Sequence, residues 1–358
     1  MSASALKVVH LEASADPIKK SPGFKKKLLA DRHLEMMALC GFGCRYCSSN
    51  NGNFLRIRRG PFADETQRQL GSRYLPATTP ELHFDYPNIV ARLEAQLAGK
   101  PKSWGAGEVL VMSQLTDAFS GTPLANGDTR RALELVLSKT SFRVRILTKW
   151  AGVGRSVQWR DFFAAHRDRV LVGLSCGTLN NEWARAVEVN TPPPTARLAA
   201  YRDLQAAGVP TFGMMCPVMP DQTGVEDLRR LLAWINPAAA EEVFVEPFND
   251  RDNWRAVAAG YPEGSAGRAW MEESFGKGDR LLWSAYATNL LLRVRREAIA
   301  AGWLSKLRFL LYEGAITRLD ADRIGNLDGI LLQDAPGDDG RSRNPAIARM
   351  QAAAPGAQ

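Results

Sequence analysis

Residues 40–47 read Cys40-Gly41-Phe42-Gly43-Cys44-Arg45-Tyr46-Cys47, three thiols within eight positions and a glycine on either side of the phenylalanine. Soft thiolates favour iron or zinc, and glycines let a short backbone wrap around a metal. Five cysteines in 358 residues is an odd number, and bunching three of them does not suit a secreted disulfide framework. Metal ligation in a reducing compartment is the better reading. Three thiolates hold three corners of a cubane cluster and leave one iron open. An open iron activates a small molecule, whereas a fully ligated cluster mainly passes electrons. Structural zinc would ask for a further Cys or His at finger spacing, and none occurs between Ser48 and His83. His33 stays open as a zinc ligand.

Outward from this loop, short apolar runs recur at Leu34–Cys40, Glu108–Leu115, Arg143–Thr148, Arg169–Cys176, Val209–Cys216 and Glu242–Phe248. Between several of them, helical periodicity covers Asp128–Leu137, Gln158–His166, Pro194–Ala207 and Gly224–Ile235. The alternation predicts an α/β fold of parallel strands with right-handed crossovers, curled into a partial (β/α)6 barrel with a C-terminal helical extension. Active groups then belong at the C-terminal ends of the strands, and the cysteines follow the first run directly. Residues 1–30 read as an irregular basic arm, 31–250 as the barrel, 251–333 as a mainly helical region around Arg280–Ala301, and 334–358 as a flexible tail. Within the helical region, Leu307–Tyr312 is a short strand or a buried helical turn.

Apolar residues make up 45% of the chain and charged ones 23%, which suits one large domain or two modest ones and excludes a wholly disordered chain. The net charge is +8, and residues 1–60 hold eleven basic side chains against four acidic ones. Such a bias attracts DNA or another polyanion, and a solvated lysine-rich terminus looks the same. No apolar run has the length of a membrane span, and the N-terminus lacks the pattern of a secretion signal, so the default expectation is a cytoplasmic protein without membrane contact. No heptad run or interface stripe is visible, which leaves the oligomeric state open and a monomer the simplest case.

The spacing of the three cysteines, with an aromatic before the last and a predicted strand in front, resembles the cluster-binding loop of the radical S-adenosylmethionine superfamily. The resemblance covers about residues 30–250 and looks closest to the spore photoproduct lyase-like group. It implies that Cys40, Cys44 and Cys47 bind a [4Fe-4S] cluster whose remaining iron takes the amino and carboxylate groups of S-adenosylmethionine (AdoMet). An electron from a donor such as flavodoxin or ferredoxin then releases a 5′-deoxyadenosyl radical that abstracts hydrogen from substrate. The resemblance also implies cofactor contacts. Tyr46 would lie near the adenine or cluster, and Ser113, Thr116 and Asp117 would form the amino-group end of the second strand. Lys149 would face the methionine carboxylate, Ser175 would reach from the fourth strand, and Arg197 would pair with Glu188 near the cofactor. Glu246 and Asn249 at the sixth strand would meet ribose or substrate. Plainer alternatives stand beside these: a helix cap at Asp117, a solvated strand cap at Lys149, a surface pair at Glu188 and Arg197.

If the likeness extends to substrate, the target is DNA carrying a thymine dimer. Arg56, Arg58 and Arg59 would then touch phosphates, and Phe54 and Trp150 would offer stacking surfaces. The lyase has a hydrogen-donor cysteine a few tens of residues after its cluster motif, but Ser48 to Ser175 contains none here. Cys176 and Cys216 are the remaining donor candidates, with core packing as the alternative. Two other readings stay open: a radical reaction on a small molecule, peptide or RNA, and a metal-stabilised nucleic-acid-binding protein with no enzymatic activity.

Overall fold

The computed structural model describes residues 6–334 and 341–353. It is a mixed α/β structure dominated by parallel strands, and the chain divides into two compact units. The first reaches to Ser175 and takes in Asn180–Pro210 and Asp250–Gly260; the second comprises Cys176–Leu179, Thr211–Asn249 and the chain from Tyr261 onward.

The first unit carries β1 (Lys7–His10), β2 (Ile18–Lys20), β3 (Arg32–Leu34), β4 (Met37–Leu39), β5 (Leu82–Asp85), β6 (Val109–Met112), β7 (Arg143–Thr148) and β8 (Val170–Leu174). Strands β3, β6, β7 and β8 run parallel in that order, with Leu34 opposite Met112, Met112 opposite Ile146, and Thr148 opposite Leu174. That register sets Lys149 level with Ser175 and Ser113 level with Leu147, each of the three polar residues lying one position past its own strand. Helices Asp128–Lys139 and Val157–Ala165 cross over between these strands, and every residue of β8 is buried, as a sheet covered on both faces requires. A second, three-stranded sheet orders β1, β5 and β4.

The second unit carries β9 (Thr211–Val218), β10 (Ala240–Pro247), β11 (Leu307–Leu311) and β12 (Ile330–Leu332), with β9, β10, β11 and β12 parallel neighbours in turn. Helix Val225–Ile235 joins the first two and buries Leu228, Leu231, Leu232 and Ile235, a stripe at helical spacing. Helix Arg280–Ala300 is anchored by Trp283, whose indole donates to the Phe248 carbonyl at 3.0 Å, and by Tyr286, whose hydroxyl accepts from the Phe248 N–H at 2.6 Å. Among the described residues no helix is long and apolar enough to cross a membrane.

Three expectations change, and one open choice is settled. The run Leu34–Cys40 is two short strands in different sheets, broken at Glu35 because that carboxylate leaves the ladder to accept from the Gln114 and Leu115 N–H groups and from Thr116. The basic arm is not irregular: β1 pairs with β5, β2 with β3, and Pro22–Lys26 is helical, because Val9, Ile18 and Leu29 are buried while the lysines stay outside. Leu307–Leu311 is a strand, the choice that periodicity left open. Of the stretch read as a tail, 335–340 and 354–358 lie outside the described residues, and Pro345–Ala353 is helical.

Two positions test this packing. Gly154 sits where a Cβ would come 2.0 Å from the Ala200 carbonyl oxygen, so helix Gly152–Arg155 approaches helix Pro194–Ala206 through bare backbone. Gly154→Ala is expected to cost about 1–3 kcal/mol in urea unfolding; an unchanged midpoint would show that this contact yields freely. His83 on β5 is fully buried with Nδ1 unpartnered, and burial lowers its pKa from 6.5 to about 4. The unfolded chain therefore binds the proton more tightly. Stability should fall by about 3 kcal/mol as pH drops from 6.5 to 4 on account of this group and level off below. His83→Gln should remove that part of the slope, and an identical pH profile in the variant would rule the assignment out.

Candidate functional site

The cysteine loop leaves β4 at Leu39 and ends where Cys47 opens the short helix Ser48–Asn51. The Cys47 N–H donates to the Cys44 carbonyl at 3.0 Å, and the Cys47 carbonyl accepts from the Asn50 and Asn51 N–H groups at 3.1 and 2.9 Å. Gly43 has φ +62 and stands where a Cβ would come 2.6 Å from Pro80, so only glycine fits this bend. The segment around residues 187–190 clamps the loop: the Arg45 N–H donates to the Val187 carbonyl at 2.8 Å and the Asn190 N–H to the Phe42 carbonyl at 3.0 Å. The Asn190 side-chain amide adds bonds to the carbonyls of Gly41 and Pro80 at 2.9 and 3.0 Å. Cys44 and Glu188 form an antiparallel bridge.

No disulfide joins any of the five cysteines; in the loop Cys40 and Cys44 are buried and Cys47 is partly so. Burial pushes the Cys44 thiol up to about 12, against the help of Lys149. Cys40 is raised by burial first and then by the charges of Cys47, Asp117 and Cys44, which places these groups within one another's field. Such thiols stay protonated until a metal ion replaces the proton. Among the described residues no group of three or more His, Cys, Asp or Glu side chains is gathered closely enough to hold a metal ion. His33 has Glu35 and Lys19 as its charged neighbours.

The strand ends carry the remaining groups. Ser113 adopts φ +65, and its Oγ is buried with no hydrogen-bond partner; the Asn50 Oδ1 shares that condition. A buried orphan hydroxyl costs about 1–3 kcal/mol unless something else satisfies it. Lys149 Nζ donates to Ser175 Oγ at 3.0 Å and lies 5.4 Å from the Tyr46 ring centroid. Asp117 is engaged from within the protein: Thr148 Oγ1 donates to both its oxygens at 2.8 and 3.0 Å, and the Lys149 and Phe119 N–H groups donate at 2.8 and 2.9 Å. Burial raises its pKa in spite of those donors. Thr116 donates to Glu35 at 2.8 Å. Asp117 and Thr116 thus shape the turn after β6.

Glu188 and Arg197 are paired, and the pair is internal: Arg197 is fully buried and Glu188 is 4% exposed. Arg197 also donates to the Ser175 carbonyl at 2.6 Å, and the Tyr46 hydroxyl donates to Glu188. Burial alone would raise Glu188, but the Arg197 and Lys149 charges and the Tyr46 and Arg197 hydrogen bonds outweigh it and hold the carboxyl below its ordinary value. Asn253 donates to the Tyr46 carbonyl at 2.6 Å. Sequence reading missed Glu35, Asn190 and Asn253, whose partners lie roughly 80 to more than 200 positions away.

In the first unit Lys149 contacts Ser175 and the Tyr46 ring, and Arg197 reaches the Ser175 carbonyl; Cys40, Cys44, Cys47 and Ser113 belong to the same unit. Cys176, Cys216 and Glu246 belong to the second unit. There Cys216 Sγ donates to Glu246 at 3.2 Å, Tyr312 donates to the same carboxylate, and Cys176 Sγ donates to the Thr178 carbonyl at 3.1 Å. Arg56, Arg58 and Arg59 lie exposed on helix Asn53–Leu70.

No protein-family model matches the chain. It is 27% identical over 154 residues to the uncharacterised protein ORF301 of Acidianus two-tailed virus, covering 42% of this chain and 49% of that one. It is 29% identical over 234 residues to an uncharacterised protein of Mycobacterium tuberculosis, covering 63% and 62%. The chain thus spans about half the length of the first of these relatives and under two thirds of the second. Among solved structures it is similar to spore photoproduct lyase and to other radical SAM enzymes. Spore photoproduct lyase with bound AdoMet and dinucleoside spore photoproduct matches at TM-score 0.46 and 17% identity, covering 72% of this chain and 66% of that one. Native anSMEcpe with bound AdoMet and a Cp18Cys peptide matches at 0.39 and 11%, covering 76% and 61%.

Two kinds of substitution separate the parts of this site. Glu188→Gln leaves a buried guanidinium unpaired and should cost about 3–5 kcal/mol of stability in urea unfolding; a loss below about 1 kcal/mol would mean Arg197 finds another partner. Replacing Cys40, Cys44 or Cys47 singly by Ala should abolish iron uptake on anaerobic reconstitution. Normal iron and sulfide content in any one variant would remove that cysteine from the ligand set.

Proposed function

We propose that this protein is a radical AdoMet enzyme that binds a [4Fe-4S] cluster through Cys40, Cys44 and Cys47, its parallel strands forming the wall of a partial (β/α)6 barrel. The observation that carries the reading is the pairing of a three-thiol loop with strand ends that present an orphan buried hydroxyl, Ser113 Oγ, and an ammonium, Lys149 Nζ. A zwitterionic amino acid head asks for those two groups: an acceptor for its ammonium and a cation for its carboxylate. When bound, the cluster would supply the electron that cleaves the AdoMet sulfonium to a 5′-deoxyadenosyl radical.

The chain's own residues have separable tasks in this reading. The thiols carry the cluster. Ser113 accepts from the methionine ammonium; Lys149, held over Tyr46 and against Ser175, neutralises the carboxylate. Glu188 and Arg197 position the loop without touching the ligand. Hydrogen abstraction from a thymine-dimer lesion in DNA is the substrate reading that the lyase resemblance suggests. For returning hydrogen to product the candidates remain Cys216, which is partly exposed, and Cys176, which is buried and donates within its own turn.

The test is anaerobic reconstitution, reduction with dithionite and measurement of 5′-deoxyadenosine, with and without DNA containing a thymine dimer. The reading expects a brown, oxygen-sensitive protein that makes 5′-deoxyadenosine. Stimulation by dimer DNA supports the lesion substrate, and its absence with intact AdoMet cleavage transfers the reaction to another substrate. Iron-loaded protein that leaves AdoMet intact would defeat the proposal. Lys149→Met should weaken AdoMet binding roughly tenfold or more, as the loss of a charged hydrogen bond implies, with cluster content unchanged; equal affinity would reject its role.

A further inference from the structure

Helix Asn53–Leu70 begins six residues after Cys47 and was not visible as a helical pattern, because Gly60 and Pro61 interrupt it and only Leu55, Phe62, Ala63 and Thr66 are buried. Its first turns hold an unusual mixture. Ile57 is 78% exposed and Phe54 47% exposed, and around them Arg56, Arg58 and Arg59 are also exposed. Arg56 pairs with Asp252 at 3.1 Å, while Arg58 and Arg59 have no ion pair among the described residues. Beneath the apolar pair lies a pocket of about 190 Å3 lined by Ala38, Ser49, Phe54, Ile57, Arg58, Phe62 and Leu115. That volume has room for one large side chain.

The position of this patch gives it meaning. Ala38 stands two residues before Cys40, and Ser49 two after Cys47. Arg58 Nη1 donates to the Ala38 carbonyl at 3.1 Å, so the surface arginine is joined by one hydrogen bond and a short run of backbone to a cluster ligand. An occupant of the pocket therefore sits at the outer wall of the cysteine loop. We propose that this patch docks an acidic electron-carrier protein, which reduces the cluster from there. The proposal rests on the radical AdoMet reading above and names the partner of that site. The step is a single electron transfer: the carrier's reduced flavin or iron–sulfur centre is oxidised by one electron, the [4Fe-4S] cluster is reduced by one, and no covalent bond changes.

Two arguments favour a protein over nucleic acid. Electron-transfer encounters are weak, brief and small, and a helix face with one pocket matches their scale. Unpaired arginines steer an acidic partner toward the patch, while an exposed Ile57 over an apolar pocket rewards an apolar side chain rather than a phosphate.

Reconstituted holoprotein, its variants Arg59→Glu and Ile57→Asp, and an acidic flavodoxin provide the test. Binding of oxidised flavodoxin is measured directly at low and high salt, and cluster reduction is followed by absorbance with flavodoxin or dithionite as donor. Wild type should bind more tightly at low salt. Each variant should raise Kd roughly tenfold at low salt and slow flavodoxin-driven reduction by a similar factor, and Ile57→Asp should leave dithionite-driven reduction and AdoMet cleavage unchanged. Unaltered flavodoxin affinity in both variants would overturn the proposal. So would variants that lose affinity for a DNA oligonucleotide but keep flavodoxin binding, since the patch would then be a nucleic-acid contact. Protein that dithionite reduces and that cleaves AdoMet isolates a failure of docking; protein that takes up no cluster overturns docking and functional reading together, before any carrier is added.

Discussion

Glu188 is where the cysteine loop and the strand ends of the first unit are fastened together. Its backbone bridges Cys44, its carboxylate takes the Tyr46 hydroxyl and the Arg197 guanidinium, and Arg197 continues to the Ser175 carbonyl at the tip of β8. Burying two charges is expensive, and a pair of this kind is weak evidence for net stability. Its worth here is registration. With Arg197 wholly buried and Glu188 nearly so, the loop cannot shift without stranding a charge in a low-dielectric interior. The pair fixes a mobile-looking, glycine-bearing loop to the most regular part of the sheet.

Around that fastening, polar groups divide into those that build and those that face outward. Asp117 has both oxygens occupied by Thr148, Lys149 and Phe119, and Glu35 ties down the turn from Gln114 to Thr116. These carboxylates hold the ends of β6 and β7 in place. Ser113, at positive φ just before that turn, is left with a buried hydroxyl that nothing among the described residues satisfies. Lys149 is oriented by two neighbours, Ser175 and the Tyr46 ring. Strain and an orphan donor at one strand end are the usual signature of a site shaped for a ligand.

Much of this was legible in the sequence, for reasons that differ by element. Strand β8 read clearly because a buried parallel strand is a continuous apolar run, β7 because the β-branched Val144 and Ile146 alternate with arginines, and helix Val225–Ile235 because its leucines repeat at helical spacing. The thiol spacing and the strand-end residues Ser113, Lys149 and Ser175 could be read locally. Helix Asn53–Leu70 could not, since a helix exposed on most of its surface has no apolar stripe to betray it. The break at Glu35, the clamp by Asn190 and the support of Tyr46 by Asn253 are long-range hydrogen bonds, and nothing in local composition encodes a partner so far away. The same reason made Asp117 look like a ligand contact: its type and place suit that role, but its oxygens are already committed to Thr148 and two backbone N–H groups.

The claim on which the account turns is that three protein sulfurs hold the cluster and one iron is left for a ligand. Electron paramagnetic resonance of the reduced, reconstituted protein addresses it most directly, recorded before and after addition of AdoMet. The account predicts an S = 1/2 signal of a reduced cubane whose g-values shift when AdoMet binds the open iron. A spectrum indifferent to saturating AdoMet, or metal analysis finding tetrahedral zinc in place of iron, would contradict it.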